Sequence, residues 1–272
     1  MRRLLLLAFV IARPALADRH HAPHDDAEAK ARAALAVIDG TAWVDDSAPR
    51  AAARPDARAH DDAPRVDDDA ADARRIASRL QPWRATILGS RHDRTSHLAG
   101  AEHLEEGDGI HVRRPQRAYG EPHVVDCLRN AVAEVRALYP DLPTLAIGDL
   151  SSEHGGELPG HVSHRTGLDV DVGFYFHHPT TGFENADADL DLPATWALLV
   201  AFARTAGDKH GVQIIFLDYA VQKRLYDYAR AHGTPDRELG RLFQYPNGKN
   251  DLTGLVRHWP NHANHMHVRF KP

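Results

Sequence analysis

Apolar and polar positions alternate with clear periods only in the later part of the chain. From Pro122 to Tyr139, Val125, Leu128, Val132, Val135 and Leu138 recur at three- and four-residue steps, which predicts an amphipathic helix opened by proline. Thr195 to Ala206 and Ala220 to His232 are further helical stretches, the second closed by Gly233 as a C-terminal stop. Leu168 to Phe176, Val212 to Leu217 and Met266 to Phe270 are short, rich in Val, Ile or Phe, and bounded by Gly, Asp or Pro, which predicts strands. Helices and strands mix without a βαβ rhythm or an internal repeat. The expected fold class is α+β: a small, mainly antiparallel sheet flanked by helices.

The first eighty residues read differently. Met1-Arg2-Arg3 followed by the apolar run Leu4 to Ala12 and the small-x-small triplet Ala15-Leu16-Ala17 has the form of a signal peptide, residues 1–17. The run is well short of the roughly 20 residues a membrane span needs, and no later stretch is apolar for long enough to cross a bilayer, so no transmembrane segment is expected. Residues 18–80 are an irregular mixture of Ala, Asp, Arg and Pro. Such a segment buries too little apolar surface to offset its ordering entropy and reads as a spacer, with at most a short helix from Ala27 to Ile38. His20, His21 and His24 within it read as part of a solvated polar tail. A single domain is expected over residues 81–272.

Composition then narrows the chemistry. A formal net charge of −5 argues against a nucleic-acid partner, which calls for a basic excess. Twenty of 272 residues are histidine, the commonest side-chain metal ligand. Cys127 is the only cysteine, so no disulfide forms within the chain, and its helical setting suggests a small buried apolar residue.

Two clusters concentrate the metal-binding side chains. Gly160 to Asp171 holds His161, His164, Asp169 and Asp171. The two aspartates share one face of a strand, and Gly167 can turn the chain so that His164 meets one of them. The second cluster, His262-Ala263-Asn264-His265-Met266-His267, places His265 and His267 on one strand face and Val268 and Phe270 toward the core. Pairing the two strands would gather His164, Asp169 or Asp171, and His265 or His267 at one end of a sheet. Three N or O ligands with an open position is the composition of a catalytic zinc site.

The pattern His164-x-x-Gly167-x-x-x-Asp171 followed by His265-x-His267 resembles the LAS group of zinc peptidases, which shares its fold with hedgehog domains. Gly148-Asp149-Leu150-Ser151, Gly155-Gly156, the Gly160 to Asp171 cluster and His262 to Arg269 resemble, within that group, the penicillin-insensitive murein endopeptidase family. The resemblance implies a LAS-like fold with Zn2+ held by His164, Asp171 and His267. It implies His265 as the catalytic imidazole, and His161 and His262 lining the site and assisting proton transfer. It also implies peptidoglycan stem peptides as the partner, the D-alanyl to meso-diaminopimelyl cross-link as the bond cleaved, and the periplasm as the location. Family members are rich in disulfides, so this chain must rely on packing or the metal instead. The position three residues before the last ligand is Asn264 rather than the carboxylate of the D-Ala-D-Ala branch. Two alternatives stand beside the endopeptidase: a D,D-carboxypeptidase or dipeptidase on the same fold, and an inactive wall- or metal-binding protein.

Overall fold

The computed structural model describes residues 97–186 and 189–272. The expected signal peptide, the spacer with its N-terminal histidines, and residues 81–96 of the expected domain lie outside the described residues.

A six-stranded sheet organises the chain. Its strands are β2 (Ile110–Val112), β4 (Leu145–Ile147), β5 (Asp169–Val172), β6 (Val212–Phe216), β7 (Val256–Arg257) and β8 (Met266–Phe270), in the order β2-β4-β5-β8-β6-β7. The pairs β4/β5, β5/β8 and β8/β6 are antiparallel, whereas the outer pairs β2/β4 and β6/β7 are parallel. The antiparallel expectation thus describes the centre of the sheet and not its edges. A two-stranded ribbon of β1 (Glu102–His103) and β3 (Tyr119–Gly120) stands apart. Helices α1 (Pro122–Leu138), α2 (Leu192–Arg204), α3 (Tyr219–Ala231) and α4 (Asp236–Leu242) complete the α+β fold.

Period-two alternation gives the sheet two unlike faces. Val170 and Val172 of β5, Ile215 of β6, and Met266, Val268 and Phe270 of β8 enter the main core. The intervening residues, Asp169, Asp171, His267 and Arg269, are also buried but face the other way, where Ile214 and Phe216 form a small separate cluster with Trp259. Registers of Asp171 with His267 and Asp169 with Arg269 place acidic and basic partners directly across β5 and β8. Cross-strand neighbours at about 5 Å can interact through their side chains.

The helices form the layer beneath. Val124, Val125, Leu128, Ala131, Val132 and Val135 bury one stripe of α1, which packs on α2. Each such side chain contributes roughly 1.5–3 kcal/mol of transfer free energy. Helix α2 is buried on every side from Ala194 to Ala203, as its nearly uninterrupted apolar sequence requires. It starts at Leu192, three residues before the apolar stretch suggests, because the Asp191 carboxylate accepts the Ala194 N–H at 2.9 Å and Pro193 sits in the first turn. Helix α3 is capped the same way, Asp218 accepting from the N–H of Ala220 at 2.8 Å.

The strand expected over Leu168 to Phe176 ends at Val172. Beyond Gly173 the chain leaves the sheet because its polar groups find other partners: Tyr175 N–H donates to Thr195 Oγ1 at 3.2 Å, and Tyr175 C=O accepts from Asp191 N–H at 2.9 Å. Cys127 is half-buried against the main core and carries a free thiol, pushed up to about 11 by burial. No helix among the described residues is long and apolar enough to cross a membrane.

Candidate active site

Two backbone features bring the first cluster onto the sheet. Gly167 turns at φ +70°, and a Cβ there would lie 2.8 Å from the Glu121 nitrogen that donates to the Gly167 carbonyl. His164, not a glycine, also sits in the left-handed region at φ +62°. Such a conformation costs on the order of 1–3 kcal/mol and persists only where its surroundings hold it. Here they do: the His164 N–H donates to Asp169 Oδ2 at 3.3 Å and its ring Nδ1–H donates to the Leu150 carbonyl at 2.9 Å.

That second bond decides what the other ring nitrogen can do. A carbonyl only accepts, so the proton of a neutral His164 is on Nδ1 and Nε2 presents a bare lone pair. Nε2 lies 3.2 Å from Asp171 Oδ1 and 3.3 Å from His267 Nδ1. His267 repeats the pattern in reverse, with Nε2–H donating to Asp169 Oδ1 at 2.8 Å and Nδ1 facing Asp171 Oδ1 at 3.2 Å. Asp171 Oδ1 is buried with no hydrogen-bond donor. Three electron pairs therefore converge with no proton required between them, an arrangement that calls for a cation. Two imidazoles and a carboxylate at this spacing are a donor set that fits a zinc ion, with each ring oriented from behind by a protein acceptor.

In the metal-free chain a proton takes the cation's place. Burial opposes charge on His267, but Asp169 and Asp171 override it and hold its pKa up at about 9. Burial likewise opposes ionisation of Asp171, yet His164 and His267 hold its carboxyl well below the usual range.

Asp169 is the structural counterpart. Arg269 grips it with Nε to Oδ1 at 2.7 Å and Nη2 to Oδ2 at 3.1 Å, and His267 and the His164 N–H complete its bonding. Burial is again outweighed, and the carboxyl stays far below its ordinary value.

The remaining expected residues line the walls. His161 Nε2–H donates to Asp149 at 2.8 Å, and its Nδ1 lies 4.0 Å from Asp171 Oδ2. Ligand atoms of His161, His164 and Asp171 all fall within 4.8 Å of one another, so His161 joins the same cluster. Asp149, fully buried, also binds Arg114 at 2.6 Å and Arg117 at 3.0 Å. His265 anchors Nδ1–H on Asn264 Oδ1 at 2.7 Å and points Nε2 at Asp171 Oδ1 from 3.6 Å. Burial pushes its pKa down to about 4, against the pull of Asp171. His262 bonds the Pro260 carbonyl at 2.8 Å, with its ring 4.8 Å from that of His265. Burial, reinforced by His267 and His265, lowers it to about 3. Both rings are thus neutral at pH 7.

Five of the six expected residues, His161, Asp171, His262, His265 and His267, line one open cleft of about 440 Å3 that Val162, Trp259 and Asn261 also line, and His164 lies fully buried behind Asp171 and His267. Three contributors were not singled out by the sequence. Asp149 stands inside a motif whose role its spacing does not reveal. Phe183 stacks on His265 with ring centroids 4.8 Å apart and planes 10° from parallel, and Arg113 covers Phe183 at 4.1 Å. Neither lies near the two clusters in sequence. Gly148 makes room for this stack: a Cβ there would meet Phe183 Cζ at 2.7 Å and Asp171 Cβ at 2.9 Å.

Comparison with known proteins gives a consistent picture. Residues 94–272 match the family described as penicillin-insensitive murein endopeptidase. Proteins of that name are similar to this chain in Salmonella arizonae (29% identity, covering 64% of this chain and 62% of the relative), in Escherichia coli (31%, 59% and 57%) and in Haemophilus influenzae (28%, 63% and 59%). The aligned part of the chain thus spans about three fifths of the length of these curated relatives.

Proposed function

The chain belongs to the penicillin-insensitive murein endopeptidase family, and from that premise we propose that it is a zinc-dependent hydrolase of peptidoglycan cross-links. The bond cleaved is the one between D-alanine and meso-diaminopimelate of neighbouring stem peptides, and the protein acts in the periplasm after export through residues 1–17. The observation that supports this reading is the convergence of ring nitrogens of His164 and His267 on Asp171 Oδ1, at the wall of an open cleft that Asp171 and His267 line.

His164, Asp171 and His267 would hold the zinc ion, which would supply Lewis-acid polarisation of the scissile carbonyl. The rest of the chemistry falls to the chain itself. His265, neutral and with Nε2 directed at the centre, accepts the proton of the attacking water, and its bond to Asn264 keeps the accepting nitrogen turned inward. His262 is neutral as well and serves as a hydrogen-bond partner rather than a resting proton source. His161, held through Nε2 by Asp149, stands on the other wall, where it faces the leaving amine. No serine or cysteine attacks the substrate, so no acyl-enzyme forms for a β-lactam to trap.

The test is mass spectrometry of purified cross-linked muropeptide dimers incubated with the chelated and the zinc-restored protein. Conversion of dimers to monomers only after zinc is restored is the expected result. Loss of a terminal alanine alone would replace the proposal with a carboxypeptidase, and tight zinc binding with intact dimers would replace it with a binding protein.

A further inference from the structure

Three arginines line the cleft, and only one is uncommitted. Arg114 is tied to Asp149 at 2.6 Å, and Arg269 is locked in the two-point grip on Asp169. Arg113 pairs with no carboxylate among the described residues. Its guanidinium instead lies over the Phe183 ring, 4.1 Å from the centroid. Stacking of this kind fixes the plane of the fork and leaves its N–H edge available for a planar two-oxygen acceptor.

The position of that fork is set by the same ring that supports the chemistry. Phe183 stacks on His265, so the guanidinium and the catalytic imidazole are separated by no more than the sum of the two stacking distances. An anion held by Arg113 therefore sits in the same cleft as His265, no more than one intervening ring away.

We infer that Arg113 is the substrate-carboxylate clamp of this cleft, binding the carboxylate next to the scissile amide. The inference rests on the proposed cleavage site. In that cross-link the scissile nitrogen is bonded to the D-centre carbon of meso-diaminopimelate, and that carbon carries a free carboxylate. A clamp on this group fixes the leaving side of the amide and explains why the cleft places a cation beside a centre that already gathers cationic chemistry. The clamp makes the enzyme selective for cross-links whose diaminopimelate carboxylate is free over those in which it is amidated.

The experiment compares two dimers, identical except for amidation of that carboxylate, against the wild-type protein and Arg113→Gln. Binding to the chelated protein is measured by calorimetry, and kcat/KM after zinc is restored. Wild type is expected to bind the free-acid dimer about 10- to 100-fold more tightly than the amidated one, the range typical of a charge-assisted pair. Arg113→Gln should lose that margin while binding the amidated dimer as wild type does, which also shows that it is folded, and the loss in turnover should fall on KM. Arg113→Lys should recover only part, because a point charge lacks the fork. A variant that discriminates as wild type does, or that loses both dimers equally, overturns the clamp. Arg113-dependent binding without cleavage would keep the clamp and remove the hydrolase reading; cleavage without Arg113 dependence would do the reverse.

Discussion

Two positions of β5, separated by one residue, carry the same residue in opposite electrostatic settings. Asp169 and Asp171 are both buried, both face the cleft side of the sheet, and both stand opposite a basic residue of β8. Asp169 is saturated by the Arg269 fork, the His267 N–H and a backbone N–H. Asp171 faces the inward ring nitrogens of His164 and His267, with no donor between them except the one proton that His267 can hold. Burial therefore does not distinguish a binding site from a scaffold. What distinguishes them is whether the neighbouring groups supply protons or lone pairs.

Breaking each aspartate in turn should separate the two roles. Asp171→Asn removes the anionic member of the proposed ligand set and supplies an N–H2 donor to the facing ring nitrogens. Metal content by mass spectrometry should fall to background, and turnover should drop on the order of 10^3-fold or more, with the thermal midpoint of the chelated protein unchanged or raised. Asp169→Ala should have the inverse signature, because it strands Arg269 and His267. Chemical denaturation of the chelated variant should show a loss of about 3–5 kcal/mol, and an Asp169→Leu/Arg269→Met pair should recover most of it. Equal stabilities for the two single variants would sink the contrast.

Smaller effects sharpen it. His265→Ala touches neither carboxylate's bonding, so zinc should stay bound while kcat falls roughly 10^2- to 10^4-fold. A variant with wild-type turnover would remove His265 from the chemistry. The smallest effect is in pH. Since His267 is raised from 6.5 to about 9, its contribution to stability in the chelated protein is complete below pH 6.5 and is lost as pH rises through 9. Zinc must displace that same proton, so apparent affinity should climb about tenfold per pH unit toward pH 9 and then level off, as read by competition with a chelator of known affinity. A flat profile would mean that Asp171 and His267 share no proton.

The sequence by itself determined the parts that depend on local period and residue type. Alternation in Asp169-Val170-Asp171-Val172 and His267-Val268-Arg269-Phe270 marks one apolar and one polar face, and β8 runs over the span that the pattern predicts. The stripe of α1 and the stop of α3 before Gly233 were legible for the same reason, whereas the six candidate site residues came from the resemblance rather than from period. Strands β2, β4 and β7, of two or three residues each, carry too short a pattern to announce themselves and exist because a neighbour completes their hydrogen bonds. The choice between Asp169 and Asp171 could not be read from spacing, since both occupy equivalent positions on one strand. Only the tertiary structure set Arg269 opposite one and bare imidazole nitrogens around the other. It alone brought Asp149 behind His161 and stacked Arg113 and Phe183 on His265, because those contacts join segments whose sequences hold no record of each other.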